Sequence, residues 1–139
     1  MFSTMDISTS ALVAQRTNLD TIAGNIANMH STRDADGHSR PYRRRVPLFA
    51  AGNPAGGNGS PGVHVRQIVE SQAPFRKVYD PSHPDALKSG RDEGYVLMPN
   101  VDYSTEMINA LEAARIYEAN ITVMEITKTM AAASLRLLS

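Results

Sequence analysis

The chain has 139 residues, a length typical of a single domain. Its 14 basic residues balance its 14 acidic residues, so the net charge provides no general attraction to nucleic acid or to an anionic membrane. Cysteine is absent, which excludes disulfides, thiolate catalysis and cysteine-bound metal.

The first segment predicts a long amphipathic helix from about Met5 to Asn28, since it contains no proline and only one glycine, Gly24. Thr4 or Ser8 is suited to cap its start, and Gly24 predicts close approach by a neighbouring helix. Apolar residues recur every seven positions, with a second row on the adjacent seam: Met5, Leu12, Leu19 and Ile26, then Ile22 and Met29. Such a narrow stripe is stable only against another helix. No basic stretch precedes an apolar one, so we expect no cleaved signal peptide.

The central segment predicts short strands and turns. After the first helix, an exit loop ends in the turn signal Asp36-Gly37. Strand-like composition and alternation predict four strands, at residues 40–49, 63–69, 75–79 and 94–98. Between the first two, residues 50–62 contain five glycines and two prolines and predict a flexible loop.

A second long helix is predicted from near Ser104, a suitable cap, to about Leu138, with Glu106 in the first turn, where negative charge is favoured. Its expected length is about 50 Å. A seven-residue apolar repeat runs along it, flanked by a second row: Ala110, Tyr117, Met124, Ala131 and Leu138, then Met107, Ala114, Ile121 and Leu135. Because both striped helices lie at chain ends, where ordinary domains fray, they indicate a subunit of an assembly.

These elements predict a mainly α fold with a small β part. The helical segments at residues 1–30 and 104–139 are expected to pair as a coiled-coil core. Residues 31–103 are expected to form a β-rich central segment, carried between the two halves of that coiled coil.

No motif in the sequence indicates catalysis, a cofactor or a metal. Asp34-x-Asp36-Gly37 resembles the opening of a calcium loop, but the closing acidic residue is absent, so a turn is favoured. Neither a Gly-x-Ser-x-Gly elbow nor a P-loop occurs. The four histidines lack the spacing of metal ligands: His30, His38, His64 and His83. We therefore predict that the protein is not an enzyme and uses no cofactor or metal.

Certain arginines and asparagines are candidates for polar contacts between subunits or between helices. The run Arg43-Arg44-Arg45 falls on a predicted strand, whose alternate residues face opposite sides, so it forms no single patch. Without interleaved aromatics or a basic net charge, it predicts inter-subunit polar contacts or a solvated strand and not nucleic-acid binding. Asn25 and Asn120 lie inside predicted helices, although asparagine is a poor helix former. We therefore predict that they fix the helix register within an assembly. Asn28 fits either that role or a C-terminal cap.

Several motifs resemble those of bacterial flagellar axial proteins, the rod and hook group. The first helix carries their N-terminal signature: Leu12-Val-Ala-Gln15-Arg16, Leu19-Asp20 and Asn25-Ile26-Ala27-Asn28. The other motifs are similar to those of the C-type proximal rod family: Pro41-Tyr42-Arg43-Arg44, Tyr79-Asp80-Pro81-x-His83-Pro84-Asp85-Ala86, Gly94-Tyr95-Val96, Pro99-Asn100-Val101, Glu106-Met107 and Arg115-x-Tyr117-Glu118-Ala119-Asn120. The resemblance covers nearly the whole chain and departs at Met29-His30-Ser31 and in the Gly-rich insert at residues 51–62.

This resemblance implies a structural subunit of the proximal rod of the flagellar basal body. Such subunits would stack helically around a central channel and form the drive shaft that transmits motor torque to the hook. The implied partners are copies of the chain itself, other rod proteins, the membrane-embedded base of the rod and the flagellar type III export apparatus. The implied location is the rod in the periplasmic space, reached without a cleaved signal peptide and without direct membrane insertion.

The residues expected to carry this function are those of the helical seams: Leu12, Leu19, Ile22, Asn25, Ile26, Asn28, Tyr117, Asn120, Ile121, Met124 and Leu135. The arginines of the run at residues 43–45 are the candidates for polar contacts between subunits. Two alternatives stay open at this point, a soluble coiled-coil adaptor and another rod-type axial paralogue, because both would share the helical stripes.

Overall fold

Two long helices and two small antiparallel sheets make up the protein in this computed structural model, which describes residues 2–52 and 60–137. The elements in chain order are α1 (Phe2–Ala27), β1 (Arg45–Ala51), β2 (Val63–Glu70), β3 (Arg76–Tyr79), β4 (Tyr95–Met98) and α2 (Tyr103–Leu137). The predicted fold class, mainly α with a small β part, is confirmed. Most of the predicted Gly-rich loop, residues 53–59, lies outside the described residues, as does Leu138 of the predicted stripe.

The helices α1 and α2 pack against each other in antiparallel directions. The end of α1 lies beside the first turn of α2, where Asn25 Nδ2 is 3.0 Å from Glu106 Oε2. At 1.5 Å per residue α1 is about 39 Å long and α2 about 52 Å. Because the helices are aligned at this end, the last two turns of α2, from about residue 130, extend past the start of α1.

The start of α1 differs from the prediction, whereas its end agrees with it. The helix already begins at Phe2, so Thr4 and Ser8 lie inside it and do not cap it. At the other end, Asn28 Nδ2 donates to the Gly24 carbonyl at 2.9 Å, which confirms the C-terminal cap. The expected close approach at Gly24 is wrong for the helices of this chain, because a Cβ added there would meet no described atom within 4 Å.

Asp102 caps α2, not Ser104 as predicted. Its Oδ2 accepts hydrogen bonds from the Thr105 backbone N at 2.8 Å and from the Thr105 hydroxyl at 2.7 Å. These bonds hold the pKa of the Asp102 carboxyl below its ordinary value. A carboxylate one residue before the helix therefore replaces the expected serine hydroxyl.

The larger sheet pairs β1 with β2 and packs on α1. Its register shifts by one residue between Leu48 and Phe49, which pair with Gln67 and Val65. β1 begins at Arg45, whereas the sequence predicted a strand from residue 40. The preceding residues bond elsewhere: the Tyr42 backbone N donates to the Ser31 carbonyl, and the Arg44 backbone N donates to Asn100 Oδ1.

The smaller sheet pairs β3 with β4, from Arg76 opposite Met98 to Tyr79 opposite Tyr95. The two tyrosine rings at its end form an edge-to-face contact with centroids 5.2 Å apart. The chain returns to β4 through Gly94, whose φ of +80° favours glycine. A Cβ at Gly94 would also lie 2.8 Å from Tyr79 Cε2. Glycine is therefore required there by both conformation and space.

Candidate assembly interface

One stripe of α2 is covered within the chain, and it follows a four-three spacing. The buried or half-buried positions with this spacing are Glu106, Ala110, Ala113, Tyr117, Asn120, Met124, Thr127 and Ala131, and the adjoining Asn109 and Ala114 are also half-buried. This spacing is that of a seam between paired helices, and it includes the predicted row from Ala110 to Ala131. The helical pairing predicted from the heptads is therefore present inside one chain.

The second predicted row of α2 lies on the exposed side of this seam, except for Ala114, which is half-buried. Met107 and Ile121 are 39% and 38% exposed, and Leu135 is 68% exposed. The covered row consists of small or polar residues instead: Glu106, Ala113, Asn120 and Thr127. The helix is oriented this way because the buried polar contacts of Glu106 face α1. The bulky apolar row is left without cover in the chain.

On α1 the buried positions are likewise small or polar, apart from Ile22. They are Ser8, Ser10, Ala14, Thr21, Ile22 and Asn25. The predicted stripe residues Leu12, Leu19 and Ile26 are half-buried, since α1 is covered by α2 and by the sheet of β1 and β2. The Ser10 hydroxyl marks the contact with the sheet, accepting a hydrogen bond from the Val63 backbone N at 3.1 Å.

Asn25 is the centre of a buried polar network, and it is 1% exposed. Its Oδ1 accepts hydrogen bonds from the Tyr42 hydroxyl at 2.9 Å and from the Arg45 backbone N at 2.8 Å. Its Nδ2 donates to the Arg45 carbonyl at 2.8 Å and to Glu106 Oε2 at 3.0 Å. All four hydrogen-bonding capacities of the amide are therefore used within the chain.

Arg44 neutralises the one buried carboxylate of this network. Its Nε lies 2.6 Å from Glu106 Oε1, and Glu106 is 0% exposed. Burial of the nearby phenol raises the pKa of Tyr42 above its ordinary value. We call Asn25, Tyr42, Arg44 and Glu106 the polar clasp. It joins the end of α1, the start of β1 and the first turn of α2 without leaving any described buried side-chain N or O atom unbonded.

The other predicted polar contacts have mixed outcomes. Arg43 donates to the Ser71 carbonyl at 3.0 Å and stacks over the Phe75 ring at 4.2 Å, so it has partners within the chain. Arg45 is the exposed member of the arginine run, lying 5.5 Å from the centre of the Tyr42 ring. Asn120 donates to the Ile116 carbonyl of its own helix at 2.8 Å. Its register role stays a prediction.

A second polar contact ties the exit loop of α1 to the turn between β3 and β4. Asp85 accepts from the Thr32 hydroxyl at 2.9 Å and forms an ion pair with Arg33 at 2.8 Å. The hydrogen bond from Arg33, supported by Thr32, holds the pKa of the Asp85 carboxyl below its ordinary value. This contact fixes the smaller sheet relative to the helices.

The predicted turn at Asp34 to Gly37 is confirmed. Asp34 Oδ1 accepts from the backbone N of Asp36 at 3.1 Å and of His38 at 2.9 Å, and Gly37 has a φ of +83°. The side chains of Asp34, Asp36 and His38 lie close enough to share a cation, with ligand atoms within 4.8 Å of one another. They are at the surface, and their hydrogen bonds are those of the turn itself.

Neither of the described helices combines the length and the apolar character that crossing a membrane requires.

Residues of the polar clasp belong to three sequence motifs that are far apart in the chain. The sequence predicts contact roles for Asn25 and Arg44, but it predicts for their mutual partner, Glu106, only a favourable charge in the first turn of α2. The available signal was the joint presence of an asparagine inside a helix, an arginine run and an acidic residue early in the next helix. Their pairing required the antiparallel register of α1 and α2.

Comparison with known proteins agrees with this architecture. Residues 5–33 match the family described as "Flagella basal body rod protein", and residues 92–137 match "Flagellar basal body rod FlgEFG protein C-terminal". The matched segments cover most of α1 and all of α2, so both family descriptions refer to the paired helices.

Full-length relatives extend the similarity to the central segment. The flagellar basal-body rod protein FlgC of Borreliella burgdorferi is 39% identical, covering 99% of this chain and 97% of the relative. FlgC of Bacillus subtilis is 41% identical, covering 93% of this chain and 92% of the relative. FlgC of Escherichia coli is 42% identical, covering 94% of this chain and 92% of the relative. With this identity over nearly the full length of both chains, the protein belongs to the FlgC family of flagellar basal-body rod proteins.

Proposed function

We propose that this protein is a structural subunit of the proximal rod of the bacterial flagellar basal body. In this proposal copies stack helically, enclose the export channel and form part of the drive shaft that transmits motor torque to the hook. The observation that carries the proposal is the exposed apolar surface of α2, a helix that FlgC family membership places in a rod.

The exposed side of α2 suits an assembly better than a free monomer. Besides the bulky row that contains Met107, Ile121 and Leu135, several apolar side chains on its other sides are exposed: Ile108, Leu111, Ile116, Val123, Ile126 and Met130. A helix that is apolar on most sides is normally covered on most sides. Pairing with α1 covers only one stripe, so neighbouring subunits are the proposed cover for the rest.

The surface area supports the same proposal. The chain exposes 9586 Å², whereas a compact monomer of 15.1 kDa exposes about 7,100 Å². A standard protein interface buries about 800 Å² on each partner. The excess of roughly 2,500 Å² is therefore enough for contacts with about three neighbours.

The proposed partners are copies of this chain, other rod proteins and the membrane-embedded base of the rod. The flagellar type III export apparatus is the proposed route, and the rod in the periplasmic space is the proposed location. The geometry supports a mechanical role, because the charged residues of the polar clasp are bonded to each other and join three segments of the chain, with Arg44 Nε 2.6 Å from Glu106 Oε1.

Leu19→Asp tests the seam of α1. Leu19 is half-buried, and a carboxylate there would be desolvated wherever a neighbouring helix covers the seam. We expect a strain with this variant to be non-motile and to lack the protein in isolated basal bodies, while the variant is still exported. Motility in soft agar, basal-body immunoblots and secretion assays measure the three properties.

Leu87→Asp is the matched control, because it makes the same substitution at a side chain that is 37% exposed in the turn between β3 and β4. It should leave rod incorporation and swimming intact. Normal swimming by Leu19→Asp would refute the role of the seam. Absence of the unmodified chain from basal bodies would refute the rod function itself.

A further inference from the structure

An apolar groove lies between α1 and β2. It has a volume of about 550 Å³. Its lining residues are Thr9, Ser10, Val13, Ala14 and Thr17 of α1 and Val63, His64, Val65, Gln67 and Ile68 of β2. None of its lining residues is acidic, lysine or arginine. Val13 and Ile68, on its two sides, are 63% and 45% exposed. Such a groove favours an uncharged, apolar occupant.

The end of α2 is a protruding segment that is largely apolar. From about residue 130 the helix extends past α1, and we call residues 130–137 the α2 overhang. Its residues 130–135 are Met-Ala-Ala-Ala-Ser-Leu and carry no charge. Leu135 shares a helix face with Ala131 and Ala132, which lie four and three positions before it. It is therefore a single bulky side chain beside small neighbours.

The overhang cannot enter the groove of its own chain. With Asn25 beside Glu106 in the antiparallel pair, Val13 lies beside roughly residue 118. Leu135 is 17 residues further along α2, which is a distance of about 25 Å. The groove and the overhang are thus separate surfaces of one molecule. The groove lining and residues 130–135 of the overhang contain no acidic residue, lysine or arginine, and Arg136 follows at the end of the overhang. Val13, Ile68 and Leu135 expose apolar surface on the two sites.

We propose that the α2 overhang of one copy docks in the α1–β2 groove of a second copy, with Leu135 against Val13. This inference rests on the proposed function, since it names one of the contacts by which the rod subunits would join. A contact between two different surfaces is heterologous, so each copy still presents a free groove or a free overhang. Contacts of this kind continue into an open array, whereas a shared two-fold patch would stop at a dimer.

The absence of cysteine permits a direct test. A chain with Val13→Cys and Leu135→Cys is expressed in place of the natural chain, and isolated basal bodies are mildly oxidised. Because two cysteines about 25 Å apart cannot form a disulfide within a chain, any bond joins two copies. We expect dimers and longer ladders on non-reducing gels, which disappear after reduction.

The matched control chain carries Val13→Cys and Ile108→Cys. Ile108 is 64% exposed, close to the 68% of Leu135, and lies about 15 Å along α2 from the position beside Val13. This control should give at least tenfold less cross-linked product. A second pair, Ile68→Cys with Leu135→Cys, reports the same contact from the other side of the groove, and it replaces the first pair if that variant is excluded from basal bodies.

The outcomes separate this inference from the proposed function. Ladders from the groove pairs and none from the control support the docking contact. Equal products from all pairs, or none from the groove pairs in basal bodies that contain the variant, overturn the docking contact and leave the rod function standing. Absence of even the natural chain from basal bodies overturns both.

Discussion

Asn25 connects three segments of the chain through one side chain. Its amide accepts from Tyr42 and from the Arg45 backbone, and donates to the Arg45 carbonyl and to Glu106. Asparagine inside a helix is unfavourable by itself, so Asn25 stabilises the fold through its tertiary hydrogen bonds. The Glu106 carboxylate, which bonds to both Asn25 and Arg44, depends on its partners more strongly, because a buried charge without a partner destabilises the fold.

Arg44→Met should therefore lower the free energy of unfolding by about 3 kcal/mol, because the charge of Glu106 would stay buried without its partner. The double variant Arg44→Met/Glu106→Met should recover part of this loss, since it removes the isolated charge as well. Urea unfolding followed by far-UV circular dichroism measures both changes.

Arg40→Met is the control for the arginine experiment. Arg40 is exposed and has no ion pair among the described residues, so its loss should change stability by less than about 0.5 kcal/mol. If Arg44→Met is no more destabilising than Arg40→Met, the pair with Glu106 contributes nothing to folding.

Gly94 and Gly90 offer a second matched pair. Both have positive φ, +80° and +100°, but only a Cβ at Gly94 would meet another described atom within 4 Å, the Tyr79 ring at 2.8 Å. Displacing that ring would cost the edge contact with Tyr95. Gly94→Ala should thus destabilise by about 2 to 3 kcal/mol and Gly90→Ala by about 1 kcal/mol. Equal melting temperatures for the two variants would show that the ring moves freely.

At the scale of elements, the two helices were the most predictable parts. Long stretches without proline and with a seven-residue repeat specify a helix whatever its partner is, and the row from Ala110 to Ala131 was correctly placed on the covered seam. The neighbouring row is exposed in the single chain at Met107 and Ile121, so its contacts with other subunits stay a prediction. The row of α2 that faces α1 depended on Glu106, whose partners come from distant segments.

The ends of elements were less predictable for the same reason. Residues 40–44 have strand-like composition, yet the backbone N atoms of Tyr42 and Arg44 bond to Ser31 and Asn100, which only the folded chain brings near. The cap of α2 was misplaced by two residues because Asp102 and Ser104 are both good capping residues. Assignment of the seam residues to contacts between subunits stays a prediction, tested by Leu19→Asp.

The contact between the exit loop and the β3–β4 turn should be sensitive to acid. The pKa of Asp85 is lowered in the folded chain, so its contribution is fully present above the ordinary aspartate pKa of about 3.9. That contribution is lost as the pH falls through the lower folded pKa. Asp85→Asn should therefore melt at a lower temperature than the natural chain at pH 7, and the difference should shrink below about pH 4.

Thermal melts between pH 7 and pH 3 measure this effect, with Glu93→Gln as the control. Glu93 is exposed, and no hydrogen bond to its carboxylate occurs among the described residues. It should follow the natural chain at every pH. A constant difference between Asp85→Asn and the natural chain down to pH 3 would mean that ionisation of Asp85 does not stabilise the fold.

At the scale of the whole molecule, the rest of the chain covers the start of α2 more completely than its end. Near its start the helix is held by the polar clasp, and its Ala113 is buried. Towards its end it extends beyond α1, and Leu135 is largely exposed. Local opening costs little free energy where few buried contacts must be broken. The isolated chain should then be rigid at the clasp and labile at the overhang.

Amide hydrogen exchange on the purified monomer should show this gradient. We expect amides from Glu106 to Ala113 to exchange at least tenfold more slowly than those at residues 130–137, because the α2 overhang opens without disturbing the rest of the chain. The β2 residues 63–69 serve as the folded reference. In basal bodies the same overhang amides should become protected, since neighbouring copies would then supply the missing cover. Uniform protection along α2 in the monomer would indicate a helical hairpin that is complete by itself. That result would favour a soluble coiled-coil protein, because such a helix would gain no order from polymerisation.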